Sequence, residues 1–198
     1  MTATTDNRPR MLVVPPGRGD QHWQPQPANG WIEVLTSPRI AGAPAGFSAG
    51  LQELPPLGKI REHAHPAQTE VFWVVSGRAL ARLDGAAVRR IEAGTFMVAP
   101  PHVRHGFIND GEAPFRFLWL LVPAGLEDFF IGIGRPKRPG EPDPTPYPRP
   151  AEAGSIELAT VFETLDPPPV PPWDTAPITD PSVLEALRRE AVEFQSAS

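Results

Sequence analysis

One stretch of this chain is free of proline, and that constrains its fold more than any other feature. Proline accounts for 28 of the 198 residues, against a usual level of about 5%, yet none falls between Ala67 and Ala99. Proline breaks helices and cannot donate to a central ladder. An all-helical bundle is therefore excluded, and the proline-free window is expected to hold the centre of a β-sheet. Fourteen prolines lie from Pro136 onward, in runs such as Pro142 to Pro150 and Pro167 to Pro172. That third is expected to be extended, polyproline-like chain with little core of its own.

Within the window the strand signals are dense. Glu70 to Val75 is apolar and β-branched and ends at Ser76-Gly77. Arg78 to Leu83 leads into Asp84-Gly85, a pair that favours a two-residue hairpin turn, and Val88 to Glu92 is the expected return strand. Thr95 to Ala99 stops at Pro100-Pro101, Gly106 to Ile108 resumes, and Phe115 to Val122 follows the Asn109-Asp110-Gly111 turn. Trp31 to Leu35, Ala45 to Gln52 and Lys59 to His65 are weaker strand candidates. Many short strands at such spacing read as a sandwich or barrel.

Two helices are expected. Ala124 to Ile133 carries Leu126, Phe129, Phe130 and Ile133 on one stripe. Pro181 to Gln195 has Asp180 as N-cap and Pro181 at the first helical position, with Leu184, Leu187, Ala191 and Phe194 on one face. The chain divides into an N-terminal arm (1–29), an all-β jelly-roll barrel (30–123) and a region of helix, proline-rich extension and terminal α-helix (124–198). The extension is expected to wrap the barrel and carry the last helix back onto it or onto a partner subunit.

A net charge of −5, with basic residues scattered, argues against a nucleic-acid footprint. The absence of cysteine excludes disulfides, thiolate metal sites and a cysteine nucleophile. Met1 to Arg10 is polar, and the longest apolar run, Phe117 to Val122, is too short to cross a bilayer. A cytoplasmic protein without membrane or nucleic-acid partners is expected, with a homodimer as its assembly.

Four of the five histidines lie between 63 and 105. On a strand, His63 and His65 point to the same face. Glu70 has the wrong parity for a straight strand, but Pro66 breaks the strand and lets the register reset. Glu70, Phe72 and Val74 then share the interior face. His105 follows the Pro100-Pro101 turn and can lead a strand beside the first. Three imidazoles and one carboxylate then converge inside the barrel. Such a set suits a divalent first-row metal and leaves positions open for catalysis.

These residues resemble the two motifs of the cupin superfamily. His63-x-His65, four residues, Glu70, six residues, Gly77 is similar to the first motif. Gly94, five residues, Pro100, then His105, three residues, Asn109 is similar to the second. Residues of about 10–135 resemble single-domain, quercetin 2,3-dioxygenase-like cupins. Supporting fragments are Met11 to Gly17 and Val122 to Phe130. The resemblance implies a cupin-type jelly-roll β-barrel with His63, His65, Glu70 and His105 as metal ligands. It departs at Gly58, one residue nearer His63 than usual, and at His102, which stands where a glycine is common.

The expected function is that of a metal-dependent dioxygenase acting on a small aromatic or enolic compound, flavonol-, catechol- or diketone-like. Its cofactor would be Fe(II), with Mn, Ni, Cu and Zn as alternatives, and O₂ its co-substrate. Glu70 would serve as ligand and as base for the substrate proton, a role implied by the quercetinase resemblance. The alternatives are a non-oxidative isomerase, cyclase or lyase using the metal as Lewis acid, and a non-catalytic small-molecule-binding cupin. His102 reads as a turn residue at the barrel mouth, with a substrate or ligand-shell contact as alternative. Arg61, Arg104 and Arg116 read as solvated arginines, with an anionic substrate as alternative. Phe72, Phe96, Met97, Phe107, Phe117 and Trp119 read as core, a few of them lining a pocket.

Overall fold

The strands of this chain pair into two antiparallel sheets facing each other. A computed structural model describes residues 11–40, 46–85 and 87–191. In it the strands are β1 (Asp20–Trp23), β2 (Trp31–Thr36), β3 (Ser48–Leu54), β4 (Lys59–His63), β5 (Thr69–Ser76), β6 (Arg78–Leu83), β7 (Val88–Glu92), β8 (Phe96–Ala99), β9 (His105–Ile108), β10 (Phe115–Val122) and β11 (Arg135–Pro136). The helices are α1 (Leu126–Ile133), α2 (Ala153–Ala159) and α3 (Pro181–Glu190). One sheet has the order β11-β1-β2-β3-β10-β5-β8, the other β4-β9-β6-β7. From β3 to β10 the chain passes back and forth between the sheets, only β6 and β7 staying together as a hairpin. This is the expected jelly-roll barrel.

The β6–β7 hairpin turns on Asp84 and Gly85, which both have positive φ (57° and 64°). Aspartate and glycine tolerate that conformation better than most residues, so the turn falls where the sequence places it. Other expected strands also form, with ends shifted by a few residues. Two corrections stand out. The proline-free window forms the sheet interior only in part: its β5 and β6 are inner strands, but its β8 and β7 each form one edge of their sheet. An edge strand still needs its donors on one side, so freedom from proline does not distinguish edge from centre. Phe96 is not core, being 65% exposed on the outer face of β8; Trp73, its β5 partner, is exposed beside it. Three elements are additional to those read from sequence. These are β1, which lies within 1–29 and pairs with β2 and β11, then β11 itself, and α2.

The core between the sheets gathers Ile32, Val34, Leu54, Phe72, Phe107, Phe117, Trp119 and Leu121, sealed at one end by Leu126, Phe129, Phe130 and Ile133 of α1. A second cluster lies outside the smaller sheet, where Leu80, Val88 and Ile108 meet Trp173, Leu184 and Leu187. Each large apolar side chain buried there contributes roughly 1.5–3 kcal/mol, so α3 is tied to the barrel by packing. Its N-terminus is closed as expected: the Asp180 carboxylate accepts from the Ser182 N–H at 2.9 Å, with Pro181 next to it. The Phe194 position expected on its apolar face lies outside the described residues.

The proline-rich extension returns along the barrel and is bonded to it. The Gln26 N–H donates to the Tyr147 carbonyl at 2.9 Å, and the Tyr147 hydroxyl donates to the Trp23 carbonyl at 2.8 Å. The Glu62 N–H donates to the Trp173 carbonyl at 2.8 Å. Lys59, fully buried, donates from Nζ to the carbonyls of Pro172 (2.7 Å) and Ala176. Burial lowers its pKa, with Asp174 acting in the opposite sense. No described helix is long and apolar enough to cross a membrane.

Candidate metal centre

The site begins with a break in register between β4 and β9. Ile60 pairs with Phe107, but His63 pairs with His105, so Arg61 and Glu62 together oppose Gly106. An extra residue inverts the side-chain parity that follows. Ile60 lines the interior, and without the bulge Glu62 would follow it inward and His63 would face out. Gly106 permits this approach: a Cβ there would lie 3.0 Å from the Glu62 backbone. The bulge thus brings His63 and His105 together on the inner side, their ring centroids 4.2 Å apart.

Beyond His63 the chain leaves β4 through His65 and Pro66 and re-enters the other sheet at Thr69. Glu70 is buried beside Phe72 and Val74, so the parity reset anticipated at Pro66 occurs. The carboxylate reaches across to the opposite sheet. Its Oε2 lies 2.9 Å from His65 Nε2, 3.1 Å from His105 Nε2 and 3.9 Å from His63 Nε2. His63, His65, Glu70 and His105 are all buried, and their candidate ligand atoms lie within 4.8 Å of one another.

The remaining imidazole nitrogens define the tautomers. Nδ1 of His63 lies 2.9 Å from the Arg61 carbonyl, that of His65 2.7 Å from the Val161 carbonyl, and that of His105 2.9 Å from the Val103 carbonyl. A carbonyl can only accept, so each Nδ1 carries the proton and each neutral ring presents an Nε2 lone pair. Three lone pairs and a carboxylate therefore face one point. They repel one another unless a cation or a shared proton lies among them. Without metal a proton does this: burial disfavours charge on His65, but its hydrogen bond to Glu70 and the carboxylate charge outweigh that and raise its pKa. Burial disfavours charge on Glu70, but its interactions with the His105 and His65 imidazoles outweigh that and hold it below the usual carboxylate range. His63 is pushed well below the usual imidazole range by burial and by the neighbouring histidines. A first-row ion keeps nitrogen ligands at about 2.0–2.1 Å, so its ligands must gather much as these four do. The residues fit a divalent cation, with each ring oriented by a backbone carbonyl in the manner of metal-bound histidines.

A cavity opens from this cluster. His63 and Glu70 form part of its wall, with Phe72, Phe107, Phe117, Phe129 and Phe162 as its apolar lining and Gln24, Gln52, Lys59, Arg61 and Arg149 as polar lining. With its open mouth included, the cavity encloses about 620 Å³.

The other residues singled out from sequence divide. His102 is an exposed turn residue with φ 67°, its ring paired with Glu163 at 2.7 Å and its N–H donating to the His65 carbonyl. Arg104 is bonded to Glu62 and to the Pro167 carbonyl, and Arg116 to Glu53; neither lines the cavity at His63 and Glu70, although Arg104 borders a separate pocket with His105 and Phe72. Arg61 does line the cavity at His63 and Glu70. Several residues of the site went unnoticed in sequence. Phe162 packs 5.1 Å from both His63 and His65, and Val161, Arg149 and Glu157 come from the same extension. No local pattern marks them, because their positions depend on how the extension crosses the barrel. Gln52 carried a signal: it is a polar residue at an inward position of β3, in register with Phe117.

Residues 50–121 match the family described as Cupin domain. Over 94 residues the chain is 35% identical to "Polyketide synthase CurC" of Streptomyces cyaneus, covering 48% of this chain and 60% of that protein. Over 122 residues it is 32% identical to "Protein SchB" of Streptomyces halstedii, covering 60% of this chain and 81% of that protein. Over 124 residues it is 30% identical to "Tetracenomycin polyketide synthase protein TcmJ" of Streptomyces glaucescens, covering 63% and 76%.

Proposed function

The chain belongs to the cupin superfamily, and on that premise we propose that it is a metal-dependent enzyme acting on an enolisable or phenolic small molecule of polyketide type. The observation that carries this reading is the convergence of three imidazole Nε2 atoms and one carboxylate at the wall of an apolar cavity. A divalent ion held there would supply Lewis acidity toward a substrate oxygen.

The chain's own residues supply the rest. Glu70 is ionised, and its Oε1 makes no hydrogen bond to any described residue. Because Glu70 also lines the cavity, this oxygen is placed to take a proton from a phenol or from a carbon between two carbonyls. The phenylalanine walls exclude water and offer flat faces to a planar ring. Two curated relatives carry "polyketide synthase" in their names, which favours a polycarbonyl substrate and non-oxidative enolate chemistry, as in a cyclase or isomerase. The second reading is a dioxygenase on the same substrate class. It is favoured by the water-excluding cavity wall against the ligand set, which suits reactive oxygen chemistry.

Protein loaded with Fe(II), Mn(II), Ni(II) or Zn(II) can be incubated with β-diketones and polyphenols, with and without O₂. Product is followed by mass spectrometry and O₂ by electrode. Turnover in the absence of O₂ is the expected result. Product that forms only with matching O₂ uptake selects the dioxygenase. No turnover with any loaded metal overturns both readings.

A further inference from the structure

The cavity has polar lining that neither the metal ligands nor the apolar wall accounts for. Gln52 is only 4% exposed, and its side-chain amide makes no hydrogen bond to any described residue. Its amide atoms are not sealed off and keep access to open space, and a polar group this enclosed is normally bonded to protein, water or ligand. Gln52 lines the cavity from the inward face of β3, so the cavity is where its partner belongs. The amide offers both a donor and an acceptor there.

Two guanidinium groups line the same cavity. Arg61 and Arg149 both bond the Glu157 carboxylate, Arg61 through Nε at 3.0 Å and Arg149 through Nη2. One carboxylate against two cations leaves a single positive charge. Arg149 bonds through one nitrogen, and its other N–H groups make no hydrogen bond to any described residue. The Arg61 guanidinium stands 5.4 Å over the Phe162 ring, and Phe162 in turn packs on His63 and His65. The charge thus lies one aromatic ring away from the candidate metal.

We infer that this cavity is built for a planar aromatic molecule bearing a carboxylate, with Gln52 bonding one polar substituent and Arg149, backed by Arg61, receiving the carboxylate. The planar fork of a guanidinium matches a carboxylate through two parallel hydrogen bonds. The phenylalanine walls take the ring between them. This subsite deepens the proposed function, because its substrate would lie between the arginines and the metal. The subsite itself needs only residues of this chain.

The test is calorimetric titration with salicylate and with its neutral counterpart salicylamide, on EDTA-treated protein and on zinc-loaded protein. In the metal-free protein, salicylate is expected to bind about tenfold or more tighter than salicylamide. Gln52→Leu and Arg149→Met are each expected to weaken salicylate by about tenfold. Arg149→Met should leave salicylamide unchanged, and each variant's zinc content should match wild type. Equal affinity for the two probes in wild-type protein overturns the inference. So does the absence of salicylate binding up to about 10 mM, or unchanged salicylate affinity in both variants. If a variant fails to fold, the comparison of the two probes on wild type decides. If zinc does not load but salicylate is still preferred, the metal-enzyme reading falls and the carboxylate subsite stands.

Discussion

The main-chain carbonyl of Val161, in the segment after α2, lies 2.7 Å from Nδ1 of His65, so a residue 96 positions later in the chain orients one of the candidate metal ligands. Phe162, the next residue, presses its ring against His63 and His65. The C-terminal extension is thereby part of the candidate metal centre. Phe162→Ala leaves all four ligands in place but removes this support. Partners that orient ligands typically contribute 10–100-fold to metal affinity, so a loss of about tenfold is expected in competition with a chromophoric chelator. An affinity within about twofold of wild type would show that the extension has no hold on the site.

Metal removal and pH act on the same four residues. Binding to the native state alone raises stability by about 2.7 kcal/mol at a hundredfold excess over Kd. Chelation should therefore lower the melting temperature of loaded protein, and His105→Ala should lack both metal and the effect. Imidazole must be neutral to ligate. His65, whose pKa is raised in the metal-free state, holds its proton above the ordinary imidazole range and is the first competitor with the ion. Metal affinity should fall as pH is lowered, beginning above the usual histidine pKa, and binding should release protons to the buffer. Affinity independent of pH between about 5 and 8 would contradict the ligand assignment.

Much of this centre was readable in the residues themselves. The His63-x-His65 spacing, the break at Pro66 and the lead of His105 into β9 each have a local cause, and local causes leave local signals. Pro66 and Pro100 mark crossings between the two sheets, which is why they flank the ligand clusters. The expected place of the window at the sheet centre held for β5 and β6 but not for β7 and β8, because edge strands need donors too. Phe96 was misplaced because a four-residue strand does not reveal which of its faces meets the core. Val161, Phe162 and Arg149 reach the site by a path with no periodicity to read, set by bonds such as Lys59 to the Pro172 carbonyl.

Asp110 is the second anchor of the C-terminal region. Its side chain is fully buried (0% exposed), yet it lies 3.3 Å from Arg90 and 3.1 Å from Arg188 of α3. Arg188 also donates to its main-chain carbonyl. Asp110→Ala removes charge-assisted hydrogen bonds, each worth about 1.5–3 kcal/mol at most, but leaves only partly exposed arginines behind. It should destabilise the protein by about 1–3 kcal/mol in urea unfolding. Arg188→Ala should have a smaller effect, because Arg188 is half-exposed and Asp110 keeps Arg90. It should also make α3 more susceptible to limited proteolysis. No effect of Arg188→Ala on the proteolysis of α3 would mean that apolar packing through Leu184 and Leu187 alone holds the helix.

Glu70→Gln separates the roles of this carboxylate. The amide is nearly isosteric and its oxygen can still face a metal, but it carries no negative charge and accepts no proton. Metal affinity should fall, since the only anion among the four ligands is lost, yet excess metal should restore occupancy. Turnover at full occupancy should not be restored. A positioned base contributes typically 10²–10⁴-fold to a proton transfer, and a loss of about that size in kcat is expected. If Glu70 takes a proton from carbon, wild-type protein should also exchange the acidic hydrogen of a β-diketone with D₂O, and the variant should not. Wild-type kcat in a fully metallated variant would leave Glu70 as a ligand only and move the base elsewhere.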